Sequence, residues 1–234
     1  MRVKFASFAG MKKYAVIVAG GSGSRMGTPV PKQFLLLQGK PVLWYSLNTF
    51  LSAYDDLLVI LVVAPGYWKE AEAIVADVSG GERVRMVEGG ETRFHSVRNG
   101  LGLVEEGSIV AVHDGVRCLV SVGLVNRCFE EAGRAGSAIP VVECKDSVRW
   151  IEGGGSKPLD RARIKLVQTP QTFSSGVLLR AFEGRDGAGF TDEATVVEAA
   201  GHVVHLVEGE INNIKITNPA DLVLAEALLR QGGL

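Results

Sequence analysis

From Ala19 the chain reads Ala19-Gly-Gly-Ser-Gly-Ser-Arg-Met-Gly27 and then Thr28-Pro-Val-Pro-Lys-Gln33. Glycines at 20, 21 and 23 let backbone N–H groups converge on an anion, because no side chain blocks the approach. Ala19, Gly20, Gly21, Ser22 and Gly23 are therefore candidates for binding phosphate. The loop is not closed by Gly-Lys-Ser/Thr, so it is not a P-loop. Met26 stands where a dinucleotide fingerprint would place its third glycine. Its distinguishing feature is a pair of cations, Arg25 and Lys32, on a long proline-stiffened segment. An arginine fork and a lysine point charge beside a glycine cradle suit the α-phosphorus of a nucleoside triphosphate. A plain strand-to-helix turn would need neither Arg25, Pro31 nor Lys32.

A second stretch, Val112-His-Asp-Gly-Val-Arg117, sets Asp114 at the carboxyl end of an apolar strand, where open α/β sheets place their ligands. A carboxylate there can help hold a Mg²⁺ coordinated mainly by phosphates; an Asp-Gly turn is the alternative. Gly89-Gly-Glu-Thr-Arg93, with Ser96, reads as a helix start capped by Thr92. Lys215 follows Ile211-Asn-Asn-Ile214 in a strand-like run, where a lone lysine is ordinarily solvated. His202 and His205 fall three apart on a strand-like run, hence on opposite faces, which does not suit a metal. His113 could act as a base only where the nucleophile needs one. Cys144 has no adjacent histidine and reads as structural.

These residues need a framework. Tyr14–Ala19, Leu57–Ala64, Arg83–Val87, Ser108–His113 and Ala138–Val142 read as strands, nearly continuous in apolar residues and so covered on both faces. Val42–Leu51, Tyr67–Val78, Arg93–Val104 and Val122–Ala135 carry helical spacing between them. The β-α-β-α order predicts a single α/β unit, a doubly wound, mostly parallel sheet with helices on both faces. The rhythm breaks over Glu143–Gln168, where Val148-Arg-Trp-Ile151 and Arg163-Ile-Lys-Leu-Val-Gln168 flank a glycine-rich turn. These predict a protruding β-hairpin arm at about residues 143–168. Isolated hairpins are marginal in water, so the arm should pack on a second subunit or fold back on its own domain, the partner being favoured. Gly176–Phe182 and Asp192–Ala200 look helical, His202–Val207 reads as a strand, and Asn218-Pro219 opens a helix through Leu222–Leu229.

Composition narrows the class. The 234 residues carry 25 Lys+Arg against 26 Asp+Glu, a net charge of −1 without a basic stripe, which argues against nucleic acid as a partner. No apolar run reaches the ~18 residues of a membrane helix. Cys118, Cys128 and Cys144 form an odd set without CxxC spacing, as suits a reducing cytoplasm. Met11-Lys12-Lys13 just before the first strand suggests a domain over residues 11–234, with 1–10 an extension lacking a structural role.

The string Gly20-Gly-Ser-Gly-Ser-Arg-Met-Gly27 followed by Pro31-Lys-Gln-Phe34 resembles the nucleotide-binding signature of the sugar nucleotidyltransferases. Lys-Gln-Phe after the proline most resembles the 2-C-methyl-D-erythritol 4-phosphate cytidylyltransferases. The likeness continues in order through Gly89–Arg93 with Ser96, Val112–Arg117, Gln168-Thr-Pro-Gln171, Thr191-Asp-Glu-Ala194 and Asn213-Ile-Lys-Ile-Thr217. It implies a Rossmann-like nucleotidyltransferase fold and a Mg²⁺-dependent transfer of CMP from CTP to 2-C-methyl-D-erythritol 4-phosphate in isoprenoid precursor synthesis. It further implies a homodimer joined through the arm. By the same resemblance Arg25 and Lys32 stabilise the transition state, and Arg161 and Lys215 position the acceptor. Gly90, Glu91 and Ser96 bind the base; Arg117, Ser147 and Thr169 join the substrate sites; Asp114 lies at the metal. Ser147 stands where threonine is common in the family, and Asn212 where some members have aspartate. Three alternatives stay open: ribitol 5-phosphate as acceptor, a sugar-1-phosphate nucleotidyltransferase using UTP or dTTP, and a non-catalytic nucleotide-binding module.

Overall fold

A computed structural model describes residues 10–21 and 30–232 of the chain. The expected extension over residues 1–10 therefore lies, apart from Gly10, outside the described residues. In chain order the elements are β1 (Lys13–Ala19), β2 (Leu36–Leu37), β3 (Lys40–Pro41), α1 (Val42–Ala53), β4 (Leu57–Val63) and α2 (Trp68–Asp77). Then come β5 (Val84–Glu88), α3 (Arg93–Leu101), β6 (Ile109–Asp114), α4 (Val122–Ala135), β7 (Ser137–Glu143), β8 (Val148–Glu152) and β9 (Gly155–Leu159). The chain ends through β10 (Lys165–Val167), β11 (Gln171–Ser174), α5 (Ser175–Phe182), α6 (Glu193–Ala199), β12 (Leu206–Glu208) and α7 (Pro219–Arg230).

The main sheet is mixed and mostly parallel. β5, β4, β1 and β6 lie side by side in that order, all parallel. The chain thus steps outward from β1 in one direction and then resumes on its other flank with β6. That reversal puts the crevice beyond the carboxyl ends of β1 and β6, where doubly wound sheets bind ligands. β1 is apolar along its length because both its faces are covered. Ala15, Ile17 and Ala19 pack toward α1, α2 and α4, whereas Tyr14 and Val16 pack toward α3, α5 and α6. A smaller cluster of Leu37, Val116, Cys118, Ile216 and Ala225 seats α7 beside the crevice. Asn218 and Asp221 form a reciprocal capping box ahead of Pro219, so this helix begins where its sequence signal lies.

Three strands differ from expectation. The arm's second strand is Gly155–Leu159, not the run from Arg163, and it pairs with β8 from Val148↔Leu159 to Glu152↔Gly155. Gly153 and Gly154, at φ +55 and +81, close the two-residue turn that such a hairpin requires. Pro158 is accommodated in this strand because each strand of a two-stranded ladder is an edge, where proline is tolerated. The later run instead supplies β10, antiparallel to β7. The second difference concerns residues 211–215, which form a turn and extended coil rather than a strand. A strand that the pattern does not reveal, β11, runs antiparallel between β6 and β7. Its polar Gln171 and Thr172 are buried by that central position. Of the His202–Val207 run, only its end belongs to β12, which pairs parallel to β7.

Close helix–sheet packing rests on Gly100 of α3, where an added Cβ would lie 2.6 Å from Val16 Cγ1 and 3.0 Å from Val62 Cγ2. Gly100→Ala should therefore destabilise the fold by about 1–3 kcal/mol in urea unfolding, as overpacking does. Gly123→Ala, at an exposed position of α4 with ordinary contact distances, should instead add a few tenths to about 1 kcal/mol.

Candidate active site

At the β1/β6 crevice lies a cavity of about 450 Å³. Its floor is the end of β1, Ala19 with Gly20 and Gly21; Lys32 and Gln33 close one side. Gly90, Glu91, Arg93 and Ser96 close another, and Asp114 and Lys215 complete the wall. The folding reasons are local. Buried Gln33 donates through Nε2 to the carbonyls of Ala19 (2.8 Å) and Gly21 (3.0 Å), which pins the Pro-Lys-Gln segment to the root of the glycine loop. Lys32 follows buried Pro31 in a single 3₁₀ turn, Lys32–Phe34, and Phe34 stacks on Tyr67 at 5.3 Å. Across the cavity, Ser96 Oγ accepts from Gly90 N (3.1 Å) and reaches Gly90 O (3.4 Å), holding the turn ahead of α3. A Cβ at Gly90 would lie 2.4 Å from His95 Cβ, so only glycine fits there.

Asp114 is the electrostatic centre. Arg93 Nε donates to Oδ1 at 3.0 Å, Lys215 Nζ lies 2.8 Å from Oδ2, and Arg117 Nε stands 3.8 Å from Oδ2. Burial by itself would raise the carboxyl's pKa. Arg93, then Lys215 and Arg117, outweigh burial and hold it well below the usual carboxylate range. Lys215 is delivered between two anchors: Ile216 N donates to Val116 O, and buried Asn213 donates through Nδ2 to Thr169 O at 2.8 Å.

Arg93 and Glu193, which the sequence reading quotes inside motifs without a role, belong to this centre. Arg93 donates through Nη1 and Nη2 to the two oxygens of Glu193 at 2.6 and 3.0 Å. Burial opposes the charge on Arg93, but Glu193 and Asp114 outweigh it and raise the guanidinium's pKa above its ordinary value. The helix dipole disfavours a cation at Arg93, the first residue of α3, which hints at an anionic partner but does not say which one.

A family model described as 2-C-methyl-D-erythritol 4-phosphate cytidylyltransferase matches residues 14–231. The chain belongs to this family. It is 45% identical over 231 residues to a protein of that name from Bacteroides thetaiotaomicron, covering 94% of this chain and all of the relative. It is 46% identical over 220 residues to the namesake from Porphyromonas gingivalis, covering 93% of this chain and 98% of the relative. Among solved structures, the 2-C-methyl-D-erythritol 4-phosphate cytidylyltransferase from Thermus thermophilus superposes with a TM-score of 0.73 at 36% identity, covering 92% of this chain and 98% of that one. The 4-diphosphocytidyl-2C-methyl-D-erythritol synthase from Anaerococcus prevotii superposes at 0.83 with 28% identity, covering 95% and 98%.

Against the family pattern, the cavity brings together Ala19, Gly20, Gly21, Lys32, Gly90, Glu91, Ser96, Asp114 and Lys215. Arg25, Ser22 and Gly23 lie outside the described residues. Arg117, expected to face the acceptor, lies beneath the wall: its Nη1 donates to Asn213 O at 2.8 Å. Ser147 and Arg161 are exposed at the arm and are not in the described wall of their own chain's cavity; Arg161 donates to Lys145 O. Thr169 sits behind Asp114. Its Oγ1 accepts from Asp114 N at 3.1 Å, which leaves the hydroxyl proton for His113 Nδ1, also at 3.1 Å. His113 Nε2 then carries the ring proton and faces Arg117 O at 3.3 Å. Burial lowers the His113 pKa to about 3, so the ring is a neutral strut.

The hydroxyl of Thr169 is thus the group that satisfies the buried Asp114 amide. Thr169→Val, close in shape, leaves that amide unpaired and should cost about 1–3 kcal/mol in chemical denaturation. Thr169→Ser should stay near wild type. Equal stability of the valine and serine variants would contradict this account.

Proposed function

We propose that the chain transfers CMP from CTP to 2-C-methyl-D-erythritol 4-phosphate, giving the 4-diphosphocytidyl product and pyrophosphate. The observation that carries the reading is the convergence of Lys32 and Lys215 on one cavity floored by Gly20 and Gly21 and anchored by Asp114. An oxygen of the acceptor's phosphate attacks the α-phosphorus in line; the bond from that phosphorus to the bridging oxygen of the β-phosphate breaks, and pyrophosphate leaves. The nucleophile is already an anion, so no general base is needed, in keeping with a neutral, buried His113.

The barrier is electrostatic, since two polyanions must meet. Lys32, with Arg25, offsets charge at the α-phosphate, while Lys215 holds the acceptor's phosphate at the mouth. Gly90, Glu91 and Ser96 take the base. Among the described residues the wall carries two acids, Glu91 and Asp114, and no cluster of three metal-ligating side chains occurs. That donor set would fit a Mg²⁺ held mainly by nucleotide phosphates, with Asp114, whose oxygens each keep a second lone pair beside Arg93 and Lys215, as its protein carboxylate. Bound there, the ion would draw charge from the transferring phosphate.

Ser147 and Arg161 act on the acceptor from the arm of a second copy. The exposed apolar side chains of the arm, Trp150 (58% exposed) and Ile151 (73%), support a dimer. Cys118, Cys128 and Cys144 are unpaired, which supports a cytoplasmic location, and no described helix is long and apolar enough to cross a membrane.

The test is pyrophosphate release from CTP and Mg²⁺ with 2-C-methyl-D-erythritol 4-phosphate, ribitol 5-phosphate or no acceptor. Release should require the methylerythritol phosphate. Lys32→Ala and Lys215→Ala should each lose on the order of 10²–10³ in turnover; both should fold, Lys215→Ala with a lowered melting temperature because buried Asp114 loses a cation. Near-normal turnover in Lys32→Ala would overturn the assignment. Ile151→Asp should shift the protein toward monomer in analytical ultracentrifugation and lower acceptor use with it.

A further inference from the structure

Glu193 is almost wholly buried, with 1% of its side chain exposed, and is not in the described cavity wall. A carboxylate so placed is costly unless something holds it in use. Its position is fixed from both sides. Gln171 of β11 donates through Nε2 to Asp192 Oδ2 (3.0 Å) and accepts from Ala194 N (2.8 Å), so the start of α6 is clamped to the central sheet. Asp192 caps the same helix by accepting from Thr195 N. Glu193 therefore arrives at the crevice on a rigid mount and takes both terminal nitrogens of Arg93.

The consequence reaches the mouth. With one N–H of each Nη committed to Glu193, the guanidinium of Arg93 is held in an orientation in which Nε alone meets Asp114, at Oδ1. Oδ2 is left to Lys215. The four side chains thus alternate in charge, Glu193–Arg93–Asp114–Lys215, and end at the lysine that is 37% exposed in the wall. Remove the first negative charge and the fork of Arg93 is free to turn onto Asp114 in bidentate fashion, competing with Lys215 for Oδ2.

We infer that Glu193 is a positioning residue for the transfer: by fixing the orientation of the arginine fork it leaves one Asp114 oxygen to Lys215 and so sets where the ammonium meets the acceptor's phosphate. This rests on the cytidylyltransferase reading above. The competing account is a pair that only stabilises the fold.

The two accounts separate in a double-mutant cycle. Purified Glu193→Gln, Glu193→Asp, Lys215→Ala and the Glu193→Gln/Lys215→Ala double variant are compared for melting temperature and for kcat/KM toward 2-C-methyl-D-erythritol 4-phosphate at saturating CTP. Glu193→Gln should lose roughly 10–10²-fold in acceptor kcat/KM, the scale of a misplacement of about 1 Å. Glu193→Asp, which keeps the charge but shortens the reach, should fall between it and wild type. In the Lys215→Ala background the glutamine substitution should cost little further, because the group it positions is gone. A full additive loss in that background overturns the inference, as do wild-type kinetics in Glu193→Gln or failure of both Glu193 variants to fold. If the wild-type protein itself releases no pyrophosphate with any polyol phosphate, the functional reading fails first, and that result is distinct from these.

Discussion

One buried carboxylate organises this molecule's chemistry. Asp114 is the last residue of β6, and its register with Val18 of β1 sets it at the sheet's carboxyl edge. Taking a carboxylate out of water costs several kcal/mol even after relaxation, so it persists only when matched. Arg93 and Lys215 match it at hydrogen-bond distance, with Arg117 close behind. The relation also runs the other way. Three cations gathered in one crevice would repel one another and loosen the loops that carry them; the shared anion lets them be stored there. In the proposed transfer an entering phosphate would compete with Asp114 for those cations, and Lys215, the most exposed of the three, would turn toward it most readily.

The rest of the crevice serves rigidity more than charge. Gly20 and Gly89 come together around Ser96, where a Cβ on Gly20 would already lie 3.2 Å from Ser96 Oγ. Gln33 ties the lysine-bearing turn to the carbonyls beneath the glycine loop. Behind Asp114, Thr169 and neutral His113 satisfy a buried amide and a buried carbonyl in one chain of hydrogen bonds. Such second-row contacts hold side chains where electrostatic catalysis needs them before substrate arrives.

The framework was legible because burial on both faces leaves its mark in composition. β1, β4 and β6 are apolar runs bounded by turn residues, and the helices joining the strands cover both faces, α1, α2 and α4 on one and α3 on the other. That Gly20, Gly21, Lys32 and Asp114 share one crevice was legible because doubly wound sheets gather the residues at their strands' carboxyl ends. What the sequence hides is pairing between distant segments. Arg93 and Glu193 are a hundred positions apart, and nothing local in Thr191-Asp-Glu-Ala194 says that its glutamate is buried. β11 is hidden for the same reason, since its polar residues are spent on partners in α6 and between two strands. The arm's second strand was obscured by Pro158, whose cost depends on the ladder having only two members.

The arm brings the last constraint. Among the described residues β8 and β9 form a sheet of their own, detached from the main one. Two strands alone bury too little to be stable in water, and this pair leaves an indole and an isoleucine largely in solvent. Arg161 follows at its base, held by the carbonyl of Lys145, and Ser147 precedes β8. Neither side chain is in the described wall of its own chain's cavity. In the proposed dimer a second copy would both bring its crevice to these two residues and cover the arm's apolar side chains; a chain acting alone would leave the arm uncovered.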